Sequence, residues 1–518
     1  MRNLIHNITE PHETMFQEVE LPNLNRSVKI PIGLFVDGKF SRSSDNGMIN
    51  TYNPSNGELI TSFYAGTKED VDATVEIARN VYTYTWSMQP MKERRDLLLK
   101  LATLIERDKE ILAALDSMDA GKPYSTNALS DLDQVITLTK YYAGAVGKYT
   151  NGEVIPISND NLCYTLKQPF GVVGLIVPWN YPLAMACWKM QGALAAGNVI
   201  IIKPSEFTSL SILYMAQLIV EAGFPKGVVN ILPGLGSVVG EALAMHMDVD
   251  KISFTGSTAV GCKMLQYSGL SNMKEVCLEC GGKSPAVVFK DADLENAVAW
   301  TANGIFYNSG QNCTANSRIY VHESLYDEFL TMFKTYTREH YSFGDFNVFN
   351  PDCTLGPVIN ETQYGKILKF IESPDGKKEV LLPFPSKSET KGYFIPPVIF
   401  TDVDQESSLV QDEIFGPVVV ISKFVHYSEV MKMANNSKYG LASAVFSEGV
   451  RRGHRFARDI QAGTVWINTS NNEDITAHFG GFKMSGIGRE LGRYGVESYL
   501  QTKTVYMSMV PGHENAMR

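Results

Sequence analysis

The chain has 518 residues, of which 44% are hydrophobic and 20% are charged, so two or three domains with substantial cores are expected. Acidic residues outnumber basic ones by 56 to 46, the formal net charge is −10, and no run of five or six like charges occurs. These features argue against a nucleic-acid partner and against a membrane-surface partner. Seven cysteines in so long a chain indicate free thiols in a reducing compartment, and we expect the cytoplasm.

The first part of the chain shows a lead-in, two helices and a hairpin. Residues 1–21 mix acidic and apolar positions and resemble neither a secretory signal nor an Arg-rich transit peptide, so a loosely ordered lead-in is expected. Apolar spacing near 3.6 residues predicts helices over 70–82 and 92–115. Segment 147–169 places turn residues between extended runs and is predicted to form a projecting hairpin.

Residues 171–290 alternate short β-branched runs with runs of helical period, which predicts an α/β fold with a parallel sheet covered on both faces. Proline, amide and lysine residues interrupt the apolar stretch 171–202, so we interpret it as a buried strand–helix–strand rather than a membrane span. The predicted strands are 171–177, 198–203, 227–232, 251–256 and 284–289, and the predicted helices are 182–196, 208–222, 236–246 and 258–268.

The alternation then resumes with a strand at 318–322, a helix at 324–340 and a strand at 415–424, which predicts a second α/β unit. The charged, Pro/Gly-rich segment 372–392 is predicted to be a surface loop. The strand-prone segment 498–508 has no crossover helix to seat it. Because a projecting hairpin and a terminal strand can pair with the sheet of another subunit, we expect a homodimer or homotetramer.

Two strand ends could hold a dinucleotide. In "FTGSTAVG" (254–261), a strand is followed by Ser257, whose helix N-terminus either seats a phosphate or is only capped. In "KPSE", Lys203 and Glu206 lie at the carboxyl end of a buried strand, where open α/β sheets bind ligands. They either bind ribose hydroxyls, with Glu206 repelling a 2′-phosphate and favouring NAD over NADP, or form a solvated pair.

Three side chains could carry chemistry. Cys313, within "FYNSGQNCTANSR", has amide and small polar neighbours, so it is either a nucleophile or a thiol at a helix start. Asn180, within "PWNYP", either satisfies the backbone of its turn or donates to a developing oxyanion. Glu279 lies in an apolar strand, where a carboxylate must be paired or act as a proton acceptor with a raised pKa.

Metal binding is not predicted. Cys277 and Cys280 form a C-x-x-C without a second pair, and at strand spacing their side chains point to opposite faces. The nine histidines are scattered along the chain. We therefore interpret these two cysteines as packing residues.

Taken together, the motifs resemble those of the aldehyde dehydrogenase superfamily, in the same order and over nearly the whole chain. The motifs are "PWNYP" (178–182), "KPSE" (203–206), "FTGSTAVG" (254–261), "LECGGKSP" (278–285), "GQNC" (310–313), "DEIFGPV" (412–418) and "FGGFKMSGIGRELG" (479–492). The resemblance implies an NAD-dependent enzyme that oxidises an aldehyde to its acid through a cysteine thiohemiacetal and a thioester.

The resemblance also assigns roles to individual residues. It implies that Cys313 is the nucleophile, that Asn180 helps to hold the oxyanion, that Glu279 is the general base and that Lys189 assists proton relay. For the cofactor it implies contacts from Trp179, Lys203, Glu206, Gly256, Ser257, Gly261, Glu413 and Phe415. For the aldehyde tunnel it implies Tyr181, Trp188, Tyr307, Asn312, Thr314, Asn471, Glu473 and Phe479.

The domains implied by the resemblance are a Rossmann-like NAD-binding domain, an α/β catalytic domain and a small β oligomerisation domain. Their predicted ranges are 1–146 with 170–281, 282–484, and 147–169 with 485–518. The family's five-stranded variant of the Rossmann fold accounts for the missing G-x-G-x-x-G.

The substrate is less well defined by the sequence. "PWNYPLAMACWK" resembles the betaine- and amino-aldehyde branch more than the aliphatic branch, but Tyr307 and Phe479 stand where that branch uses tryptophans. The pair Glu473–Asp474 either favours a cationic aldehyde or only solvates a loop.

Two alternative functions stay open. One is a CoA-acylating relative or thioester hydrolase, against which the presence of Glu279 argues because acylating relatives generally lack this base. The other is a non-catalytic structural relative, against which the intact set of Cys313, Asn180 and Glu279 argues.

Overall fold

The structure is a computed structural model that describes residues 15–510. Most of the predicted N-terminal lead-in therefore lies outside the described residues. The α-helices are α1 Lys68–Tyr84, α2 Met91–Arg107, α3 Lys109–Ala120, α4 Leu129–Ala145, α5 Pro182–Ala196, α6 Leu210–Ala222, α7 Glu241–Met245, α8 Thr258–Leu270, α9 Leu294–Phe306, α10 Tyr326–His340, α11 Glu361–Ile371, α12 Ser408–Gln411, α13 Tyr427–Asn435, α14 Val450–Asp459 and α15 Tyr494–Glu497.

The strands form six sheets. They are β1 Phe16–Leu21, β2 Arg26–Pro31, β3 Leu34–Val36, β4 Lys39–Ser41, β5 Met48–Tyr52, β6 Leu59–Tyr64, β7 Val154–Ser158, β8 Asn161–Pro169, β9 Val172–Ile176, β10 Val199–Lys203, β11 Val229–Ile231, β12 Lys251–Thr255, β13 Glu275–Glu279, β14 Pro285–Val288, β15 Arg318–His322, β16 Lys377–Val380, β17 Val398–Thr401, β18 Val418–Phe424, β19 Tyr439–Gly440, β20 Ala442–Phe446, β21 Thr464–Ile467, β22 Phe482–Lys483, β23 Gly486–Ile487 and β24 Leu500–Ser508. Three of the sheets position the candidate site.

The first sheet has eight strands in the order β23-β13-β12-β9-β10-β11-β3-β4. Its five central strands, β13 to β11, are parallel, and β23 and β3 join them antiparallel. All five residues of β9 and of β10 are buried, as continuous apolar runs in a helix-covered parallel sheet require. Helices α1 and α5 both contact β9 and β10, and α8 contacts β12 and β13.

The second sheet has seven strands in the order β16-β17-β18-β15-β14-β20-β21, all parallel except β16 at the edge. Alternate residues of β14 enter different cores, because Ala286 and Val288 pack in one apolar cluster and Val287 packs in another. The sheet is therefore covered on both faces, as the second α/β unit was predicted to be.

The third sheet is antiparallel and has the order β24-β8-β7. The predicted hairpin of 147–169 supplies β7 and β8, and the predicted terminal strand is β24, which pairs with β8 from Leu500↔Pro169 to Ser508↔Asn161. Large apolar side chains on this sheet face solvent, including Val154 and Tyr506, each 72% exposed. The predicted domain boundaries remain a hypothesis, and β23 shows that the segment after residue 485 also contributes to the first sheet.

The structure differs from three of the predicted elements. The single helix expected over 92–115 is broken at Asp108, whose carboxylate accepts hydrogen bonds from the Arg107 guanidinium at 2.9 Å and from the Tyr214 hydroxyl at 3.1 Å. The expected surface loop 372–392 contains β16, which pairs with β17 at the sheet edge. The helix expected over 236–246 begins as a π-helical turn over Gly236–Gly240 and becomes α-helical only in α7.

Among the helices of residues 15–510, none combines the length and the apolar character that crossing a bilayer requires. All seven cysteines are free thiols.

Candidate active site

A cleft of about 450 Å³ lies between the two parallel sheets. Its lining includes residues at the carboxyl ends of β9, β12 and β13 in the first sheet, and residues that precede β15 and β18 and follow β21 in the second. It brings together most of the predicted site residues: Trp179, Asn180, Tyr181, Trp188, Gly256, Ser257, Glu279, Tyr307, Asn312, Cys313, Glu413, Phe415, Asn471, Glu473 and Phe479. The predicted residues that do not line it are Lys189, Lys203, Glu206, Gly261 and Thr314.

Cys313 follows a kinked turn in which Asn308 and Ser309 adopt positive φ angles of 51° and 55°. The turn directs the chain back towards the cleft, where the thiol is partly exposed, and the Cys313 Sγ lies 3.9 Å from the Asn312 Oδ1. Burial raises the pKa of the Cys313 thiol well above its usual value, and the carboxyl groups of Glu473 and Glu413 raise it further. The resting thiol is therefore protonated and needs a base before it can act as a nucleophile.

Hydrogen bonds hold both the side chain and the backbone carbonyl of Asn180. Its side-chain Nδ2 donates to the Gln311 carbonyl at 3.0 Å, and its backbone carbonyl accepts from Lys122 Nζ and Asn308 Nδ2, each at 3.1 Å. An amide NH₂ has two donors, so one N–H remains for a group in the cleft. The Asn180 side chain therefore does not satisfy the backbone of its own turn, as one interpretation expected, because its partner carbonyl lies on Gln311. Its second N–H can donate to an oxyanion, as the other interpretation expects.

Glu279 is the last residue of β13 and is buried. Within the part of the chain that the structure describes, neither of its carboxyl oxygens has a hydrogen-bond partner. Burial raises the pKa of Glu279 well above its usual value, and the nearby Glu490 carboxylate raises it further. A raised pKa makes the ionised carboxylate a stronger proton acceptor.

Lys189 reaches the cleft only through another residue. Its fully buried ammonium group forms an ion pair with Glu490, which lines the cleft, and lies 3.2 Å from the Ser253 hydroxyl. The sequence interpretation missed Glu490, although a buried lysine in α5 signals that a carboxylate must lie nearby.

The predicted dinucleotide site includes the start of α8, which lies close to the end of β13. The Ser257 hydroxyl caps α8 by accepting from Val260 N at 3.4 Å. A Cβ on Gly261 would lie 2.6 Å from the Cys280 Sγ, so only glycine lets the first turn of α8 approach this end of β13. This approach keeps the N-terminus of the helix at the cleft.

At the end of β10, Lys203 and Glu206 form an ion pair of 2.7 Å, in which Lys203 is buried. Burial pushes the pKa of Glu206 upward, but the Lys203 ammonium outweighs this effect and leaves the pKa below its usual value. Glu206 is therefore ionised at neutral pH. The interpretation of this pair as merely solvated charges does not fit a buried lysine.

Glu413 and Phe415 close the cleft between the sheets. The Glu413 carboxylate accepts from the Gly282 N–H at 2.9 Å, and the Trp179 and Phe415 rings meet edge to face with centroids 5.2 Å apart. A Cβ on Gly281 would collide with the Glu413 carboxylate. Glycine at this position therefore lets the carboxylate sit against the backbone.

Aromatic rings form the far wall. Trp188 and Phe479 pack edge to face at 5.3 Å, and the Trp188 indole N–H donates to Gln134 at 3.0 Å. Thr314 was predicted to line the aldehyde tunnel, but it is buried and does not line the cleft; its hydroxyl donates to Asn312 Oδ1 at 3.1 Å and to Asn471 Oδ1. It therefore supports wall residues rather than forming the surface.

The two residues of the predicted acidic pair, Glu473 and Asp474, lie in different environments. Glu473 lines the cleft, and burial together with the Asp131 carboxylate raises its pKa to about 7. Asp474 is exposed and accepts from the Thr476 N–H at 2.8 Å, so it only stabilises a turn. The acid that lies near Glu473 in the cleft is instead Asp131 from α4, which the sequence interpretation missed.

Two sheets with a thiol, an amide donor and an unpartnered carboxylate at their joint edge define an enzyme of acyl or carbonyl chemistry on a dinucleotide-binding scaffold. A sequence model of the aldehyde dehydrogenase family matches residues 40–505. The chain is similar to Aldehyde dehydrogenase [NAD(P)+] 1 of Saccharomyces cerevisiae, at 58% identity over 96% of this chain and 99% of that protein. The chain belongs to the aldehyde dehydrogenase family.

Solved structures agree with this assignment. The NAD+ complex of an aldehyde dehydrogenase from Bacillus cereus superposes with a TM-score of 0.89 at 40% identity, covering 95% of this chain and 100% of that chain. Betaine aldehyde dehydrogenase from Staphylococcus aureus, in complex with NAD+, gives a TM-score of 0.89 at 35% identity, over 94% and 96% of the two chains. The predicted family, fold class and enzyme class are confirmed.

Proposed function

We propose that the protein oxidises an aldehyde to its carboxylic acid with NAD, using Cys313 as the nucleophile. The observation that carries this proposal is the shared cleft, which Cys313, Asn180 and Glu279 line beside Gly256 and Ser257. A nucleophile, an oxyanion donor, a proton acceptor and a phosphate seat are the parts that the reaction needs.

The residues present fit a dinucleotide. The N-terminus of α8 at Ser257 offers free N–H groups to a pyrophosphate, and the ionised Glu206 offers acceptors to ribose hydroxyls. Glu413, oriented by Gly282, would hold the second ribose, beside Phe415 and Trp179. The chemistry that NAD would supply there is acceptance of a hydride.

The chain's own residues then divide the work. Deprotonated Cys313 forms a bond to the aldehyde carbon, and the resulting oxyanion accepts from the second N–H of Asn180 and from the backbone N–H of Cys313. Losing one such donor typically lowers the rate by ~10²–10³. After oxidation leaves a thioester on Cys313, Glu279 takes a proton from the attacking water, and the thiol is released with the acid.

We further propose that the aldehyde carries a cationic amino group. Two acids, Glu473 and Asp131, line the cleft together with Tyr181 and Tyr307. Trp188 and Phe479 offer some aromatic surface, but Tyr181 and Tyr307 give a weaker aromatic box than a quaternary ammonium would favour. A primary ammonium, which can donate to carboxylates, suits this wall better, and an aliphatic aldehyde is the second candidate because of the aromatic surface.

One assay tests these proposals. NADH absorbance is followed with ω-amino-aldehydes, a trimethylammonio-aldehyde and straight-chain aldehydes, with and without CoA. We expect NADH without CoA and a higher kcat/KM for the amino-aldehydes than for alkanals of equal length. A signal that requires CoA would instead support acyl transfer, and no signal with any aldehyde would support a structural protein.

We also propose that the protein forms a homodimer or homotetramer in the cytoplasm. The exposed apolar residues of the β24-β8-β7 sheet support association with another copy, and seven free thiols support a reducing compartment.

A further inference from the structure

Lys122 is a fully buried cation that joins two parts of the site. It is 1% exposed and follows Gly121, which ends α3 with a φ of 72°. Its ammonium group forms an ion pair with Asp131, donates to the Asn180 carbonyl at 3.1 Å and lies 3.6 Å from the centre of the Tyr181 ring. One ammonium thus contacts the oxyanion donor and two walls of the substrate cleft.

We propose that Lys122 is a positioning residue that sets the charge of the substrate cleft and holds Asn180 for catalysis. This inference rests on the proposed cationic substrate, but it concerns a residue that does not itself line the cleft. The Lys122 ammonium offsets part of the Asp131 charge, so Glu473 supplies most of the negative charge that attracts the substrate cation.

The charge part of the proposal follows from the partners of the two carboxyl groups. Asp131 lines the cleft with a side chain that is 10% exposed, and its ammonium partner is 1% exposed. A buried pair so close presents a small dipole to a ligand rather than a full negative charge. Glu473 has no ion-pair partner recorded within residues 15–510, and its charge is therefore available to a substrate.

The positioning part follows from the hydrogen bonds of Asn180. Its backbone carbonyl accepts hydrogen bonds from Lys122 and Asn308. Its side-chain amide donates one N–H to the Gln311 carbonyl. Gln311 lies two residues before Cys313, so these bonds fix the oxyanion donor relative to the nucleophile. Removal of the Lys122 ammonium deletes one of the two hydrogen bonds to the Asn180 carbonyl, so Asn180 is held less firmly.

The test measures selectivity rather than activity alone. The ratio of kcat/KM for a trimethylammonio-aldehyde to kcat/KM for its neutral tert-butyl analogue is determined across pH. The value of this ratio at its alkaline plateau is then compared between each variant and the wild type. Lys122→Met exposes the Asp131 charge, so the ratio is expected to rise about tenfold over wild type. Asp131→Asn leaves the Lys122 cation uncompensated, so the ratio is expected to fall about tenfold.

Two further measurements complete the test. The double variant Lys122→Met/Asp131→Asn, which removes both charges, is expected to return the ratio to within about threefold of wild type. Lys122→Met is also expected to lower kcat for both aldehydes about tenfold, because Asn180 loses one of its anchors.

A second lysine–aspartate pair, which links α3 to α4, serves as the control. Asp133 lies on α4, is 67% exposed and pairs with Lys109 at 2.7 Å, outside the cleft. Lys109→Met and Asp133→Asn are expected to leave both the ratio and kcat unchanged. They report any general effect of breaking an ion pair at this helix.

The outcomes separate this inference from the substrate proposal. If Lys122→Met and Asp131→Asn lower both rates equally and leave the ratio unchanged, Lys122 is only structural and the inference is wrong. If the wild type itself does not prefer the cation, the substrate proposal fails, while the opposite shifts in the two variants would still establish the role of Lys122. Should Lys122→Met not fold, the shift in Asp131→Asn decides the question.

Discussion

Carboxyl groups surround the proposed nucleophile more closely than cations do. Glu279, Glu413, Glu473 and Glu490 all line the cleft that contains Cys313. Burial of the thiol and the charges of Glu473, Glu413 and Glu279 raise its pKa, so the sulfur is held neutral until a base removes its proton. A protonated resting thiol is less open to oxidation, because the thiolate is the reactive form. The same carboxyl groups supply the proton acceptor that catalysis requires.

The first prediction concerns Cys313 itself. Cys313→Ala is expected to abolish NADH formation with every aldehyde, because the variant lacks the sulfur that forms the proposed covalent adduct. Binding of NAD, measured by calorimetry, is expected to persist. Cys262→Ala changes an exposed thiol and is expected to leave the rate unchanged. Turnover that survives in Cys313→Ala would exclude this cysteine as the nucleophile.

The second prediction concerns Glu279. Glu279→Gln keeps the shape of the side chain but cannot accept a proton, so hydrolysis of the thioester is expected to slow by ~10²–10⁴. Mass spectrometry of the variant after addition of aldehyde and NAD is expected to show the acyl group on Cys313. If the rate falls and no adduct accumulates, Glu279 acts before the thioester forms rather than after it.

The third prediction uses the pKa of Glu473, which burial and Asp131 raise to about 7. The carboxyl group gains its negative charge as pH rises through this value, so kcat/KM for a permanently cationic aldehyde is expected to increase across the same interval. The rise is expected to be up to about tenfold, as for one moderately screened charge pair. Glu473→Gln removes the ionising group and is expected to flatten the increase. A neutral aldehyde of the same size shows whether other groups titrate in this interval.

At the scale of secondary structure, the end of strand β10 positions the Lys203–Glu206 pair, which is proposed to determine the preference for NAD over NADP. Its last residue, Lys203, is buried and holds Glu206 in the ionised form. Glu206→Gln is expected to raise kcat/KM for NADP about tenfold relative to NAD, because a 2′-phosphate no longer meets a negative charge. The ratio of the two coenzyme efficiencies checks this. An unchanged ratio would show that Glu206 does not face the 2′ position.

The elements of the two parallel sheets could be predicted because their strands are continuous apolar runs. Helix α5 begins and ends where its pattern predicts, over Pro182–Ala196, since a proline opens it and Gly197 closes it with a φ of 100°. The strands before residue 64 were not predicted, because they are short and mostly half-exposed. Strand β16 was hidden in a charged segment, since an edge strand tolerates the polar sequence KKEV.

The candidate site shows the same limit. Motifs next to strand ends predicted Cys313, Asn180 and Glu279, since a strand end fixes where a side chain points. Asp131 and Glu490 carry no such motif, and only tertiary packing brings them to the cleft. Lys122 is further removed, because its role depends on contacts with residues distant in sequence.

At the scale of the whole molecule, the β24-β8-β7 sheet stands apart from the two sheets that build the site. Among residues 15–510, no strand pairs with the outer edge of β7 or of β24. Val154, Ile157, Tyr506 and Met507 on this sheet are at least half exposed. Exposed apolar side chains beside unpaired strand edges are a liability in a monomer. Association with another copy would cover them.

The last prediction tests this association. Tyr506→Glu places a charge on the 72% exposed side chain of β24, and it is expected to shift the protein towards monomers in analytical ultracentrifugation, because a buried unpaired charge destabilises an interface. Val450→Glu changes a 73% exposed apolar residue at the start of α14 and serves as the matched control. If both variants sediment like the wild type, this sheet does not form the subunit contact. Dissociation in Val450→Glu alone would place the contact near α14, beside the seven-stranded sheet, instead.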